Sequence, residues 1–275
     1  MDRVAFLILT ERETLLPVYT RSVGHWDHQE KTVRGDGYPA FQWLYCSSGE
    51  GVLRVRGEEH AVLPGTGMFL YPHEPHEYEG TEPWELDWIT LYGPEVEPLA
   101  RLAELTRSGV YKVRSPEPLL AHLRNAQAIA LSRWPFVGTE CSKAAYSLLL
   151  DLTSCLNTGT SGSSEQGTER LQPVFDYMEA HYMRAISLNE LAAAAGVSPK
   201  HLCLIFRRAV RMRPMEYLNL LRIRKSKEIM LQERSVPLKA IASRVGFETP
   251  GYFSLLFKKS EGMTPDLFRK LNRLF

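Results

Sequence analysis

An internal repeat in the last third of this chain limits its possible folds more than any other feature. LAAAAGVSPKHLCLIFRRAVRMRPMEY (191–217) aligns with IASRVGFETPGYFSLLFKKSEGMTPDLF (241–268), allowing one inserted residue, Glu248. Ala192 matches Ala242, Gly196 matches Gly246, Pro199 matches Pro250 and Leu204 matches Leu255. Phe206 matches Phe257, Met212 matches Met263 and Pro214 matches Pro265. Each copy reads as helix, glycine turn, helix. In the first, Ser187 and Glu190 make a capping box that opens a helix ending at Ala195. Gly196 supplies the positive φ of the turn, and Ser198 caps the next helix with Pro199 in its first turn. Leu202, Ile205 and Phe206, spaced i, i+3, i+4, point inward. The second copy repeats this with Gly246, Thr249, Pro250 and inward Phe253, Leu256 and Phe257.

A long helix from about 214 to 231 joins the copies, and its Arg222, Arg224, Lys225 and Lys227 supply positive charge. Two close helix pairs in basic surroundings are what a pair of helix-turn-helix DNA readers requires, at about 188–209 and 238–260. A helical bundle that binds another protein is the alternative. The net charge of +1 conceals an asymmetry: residues 169–275 hold 19 Lys and Arg against 10 Asp and Glu, while residues 1–168 hold 14 against 22. A basic last third on an acidic remainder suits a nucleic-acid-binding module joined to something that is not one.

The stretch 157–168 (NTGTSGSSEQGT) lies where the charge changes sign and reads as a flexible linker, with a root-mean-square span of about 20 Å. Before it, AFQWLYC (40–46), GVLRVRG (51–57), HAVL (60–63), GMFLYP (67–72) and WELDWITLY (84–92) read as short strands broken by SSGEG, RGEE, PGTG and GTEP. That spacing argues for an antiparallel barrel or sandwich. From Ser115 the pattern turns helical: Ser115 caps a first helix, and a second, about 139–156, carries Leu148, Leu149, Leu150, Leu152 and Leu156. These leucines either pack on the sheet alone or also form a seam between two protomers. Cys46, Cys141, Cys155 and Cys203 form neither a CxxC pair nor a zinc-ligand spacing, so reduced thiols are expected. No apolar run reaches the ~18–20 residues of a membrane span, and the six-residue apolar stretch in MDRVAFLILTERE is too short for a signal peptide. The expected location is the cytoplasm, with the nucleoid when bound to DNA.

The string Ile241-Ala242, Val245-Gly246-Phe247, Tyr252-Phe253, Phe257-Lys258-Lys259, Gly262-Met263-Thr264-Pro265, Phe268-Arg269 resembles the second DNA reader of AraC/XylS-type bacterial transcription regulators. The resemblance extends over essentially the whole chain. It implies an α+β multidomain protein: a cupin-like antiparallel β-barrel sensor (1–112), two dimerisation-type helices (113–156), the linker, and an all-α domain with two helix-turn-helix motifs (169–275). It also implies that two recognition helices enter successive major grooves on one face of double-stranded DNA. The outward faces are then Lys200, Cys203, Leu204 and Arg207 in the first recognition helix, and Gly251, Ser254, Leu255 and Lys258 in the second. Arg208, Arg211, Arg213, Lys259 and the helix starts at Ser198 and Thr249 would anchor phosphates. The family often has arginine where this chain has Leu204 and Leu255; leucine cannot pair with guanine but can pack on a thymine methyl, or could be buried against a neighbouring helix.

Gly49-Glu50-Gly51, Leu63-Pro64-Gly65, Tyr71-Pro72 and Pro75-His76-Glu77-Tyr78 resemble the family's sensor barrel. A metal cupin needs a His-x-His pair on an early strand; strand 40–46 offers Gln42, Trp43 and Tyr45, leaving His73 and His76 without partners, so no metal or other cofactor is expected. On strand 84–92, Trp84, Leu86 and Trp88 share one face, suited to a small ligand or to plain core packing. Arg34, Tyr78 and Trp88 fall where sugar-sensing relatives contact their ligand, whereas Leu86 replaces a polar contact there; for Arg34 a surface charge is the alternative. The expected function is a ligand-responsive, sequence-specific DNA-binding regulator and not an enzyme, sensing a sugar or related molecule through Arg34, Tyr78, Trp84 and Trp88. Homodimerisation is expected, with RNA polymerase as a further candidate partner and no membrane. The alternative is a cupin-type enzyme carrying a DNA-binding tail.

Overall fold

The structure, a computed structural model, describes residues 3–132, 136–157, 164–233 and 235–272. The chain forms two compact units, Met1–Gly162 and Ser163–Phe275. Among the described residues the first contains nine strands: β1 (Arg3–Phe6), β2 (Ser22–Trp26), β3 (Thr32–Arg34), β4 (Phe41–Val55), β5 (Glu58–Val62), β6 (Thr66–Leu70), β7 (His76–Leu91), β8 (Gly109–Val113) and β9 (Leu156–Asn157). All pair antiparallel, in the order β1-β2-β7-β4-β6-β8-β9, with β3 on β7 and β5 on β4. Helices α1 (Val96–Leu102), α2 (Pro116–Ala130) and α3 (Val137–Cys155) complete the unit.

Side chains alternate across this sheet with period two. Trp43, Phe69, Ile89 and Leu91 point to one face and form a core with Leu119, Leu123, Leu148, Leu149, Leu152 and Leu156 of the helical segment. Leu44, Cys46, Met68, Leu70, Trp84 and Leu86 point to the other and form an interior core. The leucine cluster is therefore largely absorbed within one chain, and only Leu150, at 39% exposure, is left outward. Each of three large indoles lies where a neighbouring strand has glycine. A Cβ at Gly67 would lie 2.1 Å from Trp43, at Gly51 2.5 Å from Trp84, and at Gly24 2.7 Å from Trp88.

The structure corrects the strand boundaries. Residues 40–46 and 51–57 belong to one strand, because SSGEG makes a pair of register shifts against β7 and not a turn. GTEP likewise lies inside β7; Pro83, which lacks a donor, falls in the shifted stretch where no ladder bond is demanded of it. Strands β1, β2, β3, β8 and β9 and helix α1 were not expected from the pattern. The linker is also shorter than 157–168: Asn157 ends β9, and α4 (Ser164–His181) already begins at Ser164, where Glu165 and Gln166 favour helix. Residues 158–163 lie outside the described residues.

The second unit continues with α5 (Leu188–Ala194), α6 (Pro199–Val210), α7 (Pro214–Gln232), α8 (Leu238–Arg244), α9 (Pro250–Glu261) and α10 (Pro265–Leu271). The Ser187–Glu190 capping box forms: Oγ of Ser187 accepts from the Glu190 amide at 3.2 Å, and the Ser187 amide donates to Glu190 at 2.8 Å. With an added contact from Arg184, this holds the Glu190 carboxyl down to about 2. Ser198 and Thr249 cap α6 and α9. Leu202, Ile205 and Phe206 lie in one core with Leu218 and Leu221, and Phe253 and Phe257 in a second with Ile223 and Met230. Helix α7 thus belongs to both.

Glycine is required differently at the two turns. Gly196 (φ 63°) has open space around it, whereas a Cβ at Gly246 (φ 87°) would lie 2.3 Å from the Tyr182 carbonyl oxygen. Gly196→Ala should therefore cost only the left-handed backbone penalty, about 1–2 kcal/mol. Gly246→Ala adds a backbone clash and should cost more than about 3 kcal/mol, measured by thermal unfolding of the two variants beside the wild type. Equal shifts for the two would refute this.

Candidate nucleic-acid interface and effector cavity

The outward faces of α6 and α9 follow from which residues the cores take. With Leu202, Phe206, Phe253 and Phe257 wholly buried, Lys200, Leu204, Arg207 and Arg208 are exposed on α6, as are Gly251, Leu255, Lys258 and Lys259 on α9. Cys203 and Ser254 are half-buried beside them, and the caps Ser198 and Thr249 are exposed at the helix starts. The residues expected at the DNA surface are therefore exposed, apart from the half-buried Cys203 and Ser254. Neither leucine is covered by a neighbouring helix: Leu204 is 46% and Leu255 66% exposed.

Helix α7 behaves differently from the sequence expectation. Arg222 is buried, not a surface charge; its Nε donates to the Tyr182 carbonyl at 2.9 Å and its Nη2 to the Arg184 carbonyl at 2.7 Å. Burial lowers its pKa, and the guanidinium lies over the Phe247 ring, 5.7 Å from the centroid. Arg224 pairs with Glu179, Lys225 pairs with Glu179 at 3.2 Å, and Lys227 pairs with Glu261 at 2.9 Å. By contrast Lys200, Arg207, Arg208, Lys258 and Lys259 make no ion pair among the described residues. The cations left unpaired include those on the two outward faces, while those of α7 are neutralised or buried. The sequence could not separate the two groups, because their acidic partners come from α4, α7 and α9.

In the first unit, the interior face of the sheet opens into a cavity of about 310 Å³. Period-two alternation brings Ser22 and Trp26 of β2, Thr32 and Arg34 of β3, and Gln42 and Leu44 of β4 to it. Strand β7 adds Tyr78, Trp88 and Thr90. Arg34, Tyr78 and Trp88 thus converge as expected, but Trp84 does not line the cavity: it is 1% exposed and packs in the interior core against Tyr78. Arg34 is exposed at the mouth, facing the Tyr38 ring at 5.5 Å. Burial raises the Tyr78 phenol pKa, so it stays protonated. Two lining residues hold buried polar atoms with no partner among the described residues, Gln42 Oε1 and Trp88 Nε1.

Sequence reasoning missed Gln42, Thr90, Ser22 and Trp26 as lining residues. For Gln42 and Thr90 the signal was present, since each is in phase with Leu44 or Trp88. For Ser22 and Trp26 it was absent, because β2 itself was not foreseen. Among the described residues no group of three or more His, Cys, Asp or Glu is placed to hold a metal ion, and His76 instead bonds through Nδ1 to the Glu74 carbonyl at 2.8 Å.

If α6 and α9 lie on DNA, Lys258→Ala should weaken binding to every duplex and lower the slope of log affinity against log salt by about 0.9. An unchanged slope in a salt titration would show that Lys258 does not touch phosphate.

Comparisons with known proteins agree with this two-part reading. A model described as the AraC-like ligand binding domain matches residues 20–149, and one described as a helix-turn-helix domain matches 191–271. The MmsAB operon regulatory protein of Pseudomonas aeruginosa is 26% identical over 92% of this chain and 83% of that protein. The raffinose operon transcriptional regulatory protein RafR of Pediococcus pentosaceus is 21% identical over 82% of this chain and 83% of that protein. A solved transcriptional regulator with an AraC-type DNA-binding domain from Chromobacterium violaceum is 24% identical, with a TM-score of 0.37, over 39% of this chain and 96% of that one. The two models together span most of the chain, which belongs to the AraC family of transcriptional regulators, a ligand-binding unit followed by a helix-turn-helix DNA-binding unit.

Proposed function

We propose that this regulator senses a carbohydrate or a related polyhydroxylated molecule in the sheet cavity and reads double-stranded DNA with α6 and α9. The observation that carries the effector reading is the convergence of Arg34, Tyr78 and Trp88 on one cavity of about 310 Å³. An indole face packs on the C–H face of a sugar ring, and a guanidinium donates to its hydroxyls. A hydroxyl both gives and accepts, so it suits a site whose walls include Gln42 Oε1 and Trp88 Nε1. The raffinose-operon relative supports the same ligand class. We read the sheet unit as a sensor and not as a catalyst, since these groups hold a ligand and the family is one of regulators.

Dimerisation is proposed through the helical segment, where Tyr146 and Leu150, each 39% exposed, lie with Lys143 on the outward side of α3. Among the described residues no helix is long and apolar enough to cross a membrane, and we place the protein in the cytoplasm, at the nucleoid when on DNA. RNA polymerase is the further partner of the DNA-bound form. The effector acts by shifting populations, to the extent that it binds one state more tightly than the other.

A thermal-shift screen of the intact protein against mono- and oligosaccharides tests the effector. A saccharide that stabilises the wild type and not Arg34→Ala places the ligand in the cavity, with about 2.7 kcal/mol expected at a hundredfold excess over Kd. No stabilisation by any saccharide would overturn the carbohydrate reading and leave the DNA reading standing.

A further inference from the structure

Leu204 and Leu255 occupy equivalent positions in the repeat, and both are exposed, at 46% and 66%. One exposed leucine is ordinary on a protein surface. Two at the same repeat position, each set in a cationic face, are a shared feature of the two readers. Lys200 precedes Leu204 by one helical turn, and Arg207 and Arg208 follow it by one turn; Lys258 and Lys259 follow Leu255 in the same way. Neither leucine belongs to a core of its unit. Packing therefore does not explain them.

We infer that Leu204 and Leu255 set base specificity, each reading one thymine through its C5 methyl group. The inference rests on the reading of α6 and α9 as the base-facing helices. The surrounding cations fix the register on phosphates and carry no sequence information themselves. The side chain left facing the base edges at the centre of each face has neither donor nor acceptor. Against guanine or adenine it would leave the N7 and exocyclic groups without partners, whereas thymine offers an apolar methyl in the major groove. On α9, Gly251 lies one turn before Leu255 with no atom within 4 Å of where its Cβ would be, which leaves that approach open. Helix α7, with 19 residues, is about 28 Å long and joins two readers that a duplex meets one turn, about 34 Å, apart. The two thymines should then lie about ten base pairs apart.

The test selects binding sites for the intact protein from a pool of random duplexes and then replaces single thymines with deoxyuridine, which removes only the methyl group. Wild-type protein should select thymine at two positions about ten base pairs apart and lose about fourfold affinity for each uracil. Leu204→Ala should abolish the uracil effect at one position and Leu255→Ala at the other; both side chains are exposed, so the fold is retained. Sequence-specific binding with no uracil effect, or uracil effects that persist in both variants, overturns the inference and leaves α6 and α9 as readers. Absence of any sequence preference overturns both.

Discussion

The DNA-binding unit depends on one buried guanidinium. Arg222 projects from the middle of α7, satisfies two carbonyls where the chain passes from α4 to α5, and covers the Phe247 ring at the start of the second reader. A buried charge is tolerated only where its donors are matched, and here they are matched by backbone that belongs to the first half. Gly246 must be glycine because the same carbonyl occupies the space of a side chain. With α7 contributing to both cores, the two recognition helices are held in one body and not hinged about a loop. A pair of readers gains affinity from simultaneous contact only if its spacing is fixed beforehand.

The charge arrangement follows from the same geometry. Acidic residues of α4, α7 and α9 neutralise Arg224, Lys225 and Lys227 of α7. The charge asymmetry visible in composition is therefore sharper in space than in sequence. Among the described residues the cations of the two outward faces stay unpaired, and they surround the two leucines.

Much of this was legible from residues alone. The repeat fixed both helix pairs, their caps at Ser198 and Thr249 and their inward positions, because helix capping and a 3.6-residue period are local properties. Long-range properties were not legible. Whether SSGEG turns the chain or bulges it depends on the partner strand 37 residues later, since Ser48 pairs with Glu85 across a shifted register. Arg222 and Arg224 are both arginines of α7, yet one is buried on the Tyr182 and Arg184 carbonyls and the other is paired with Glu179 at the surface, all partners distant in sequence. Trp84 and Trp88 share a face of β7, and only their neighbours decide that one fills the core while the other lines a cavity.

The indole–glycine pairs have a consequence for how effector choice can drift. Trp88 forms part of the cavity wall, and the space its ring occupies is set by Gly24, which does not itself line the cavity. Adding one carbon at position 24 displaces the ring with its Nε1 and reshapes the wall, while Arg34, Gln42 and Tyr78 are themselves unchanged. The effector spectrum of such a sensor is therefore evolvable from behind the binding surface, by substitutions that no map of ligand contacts would include.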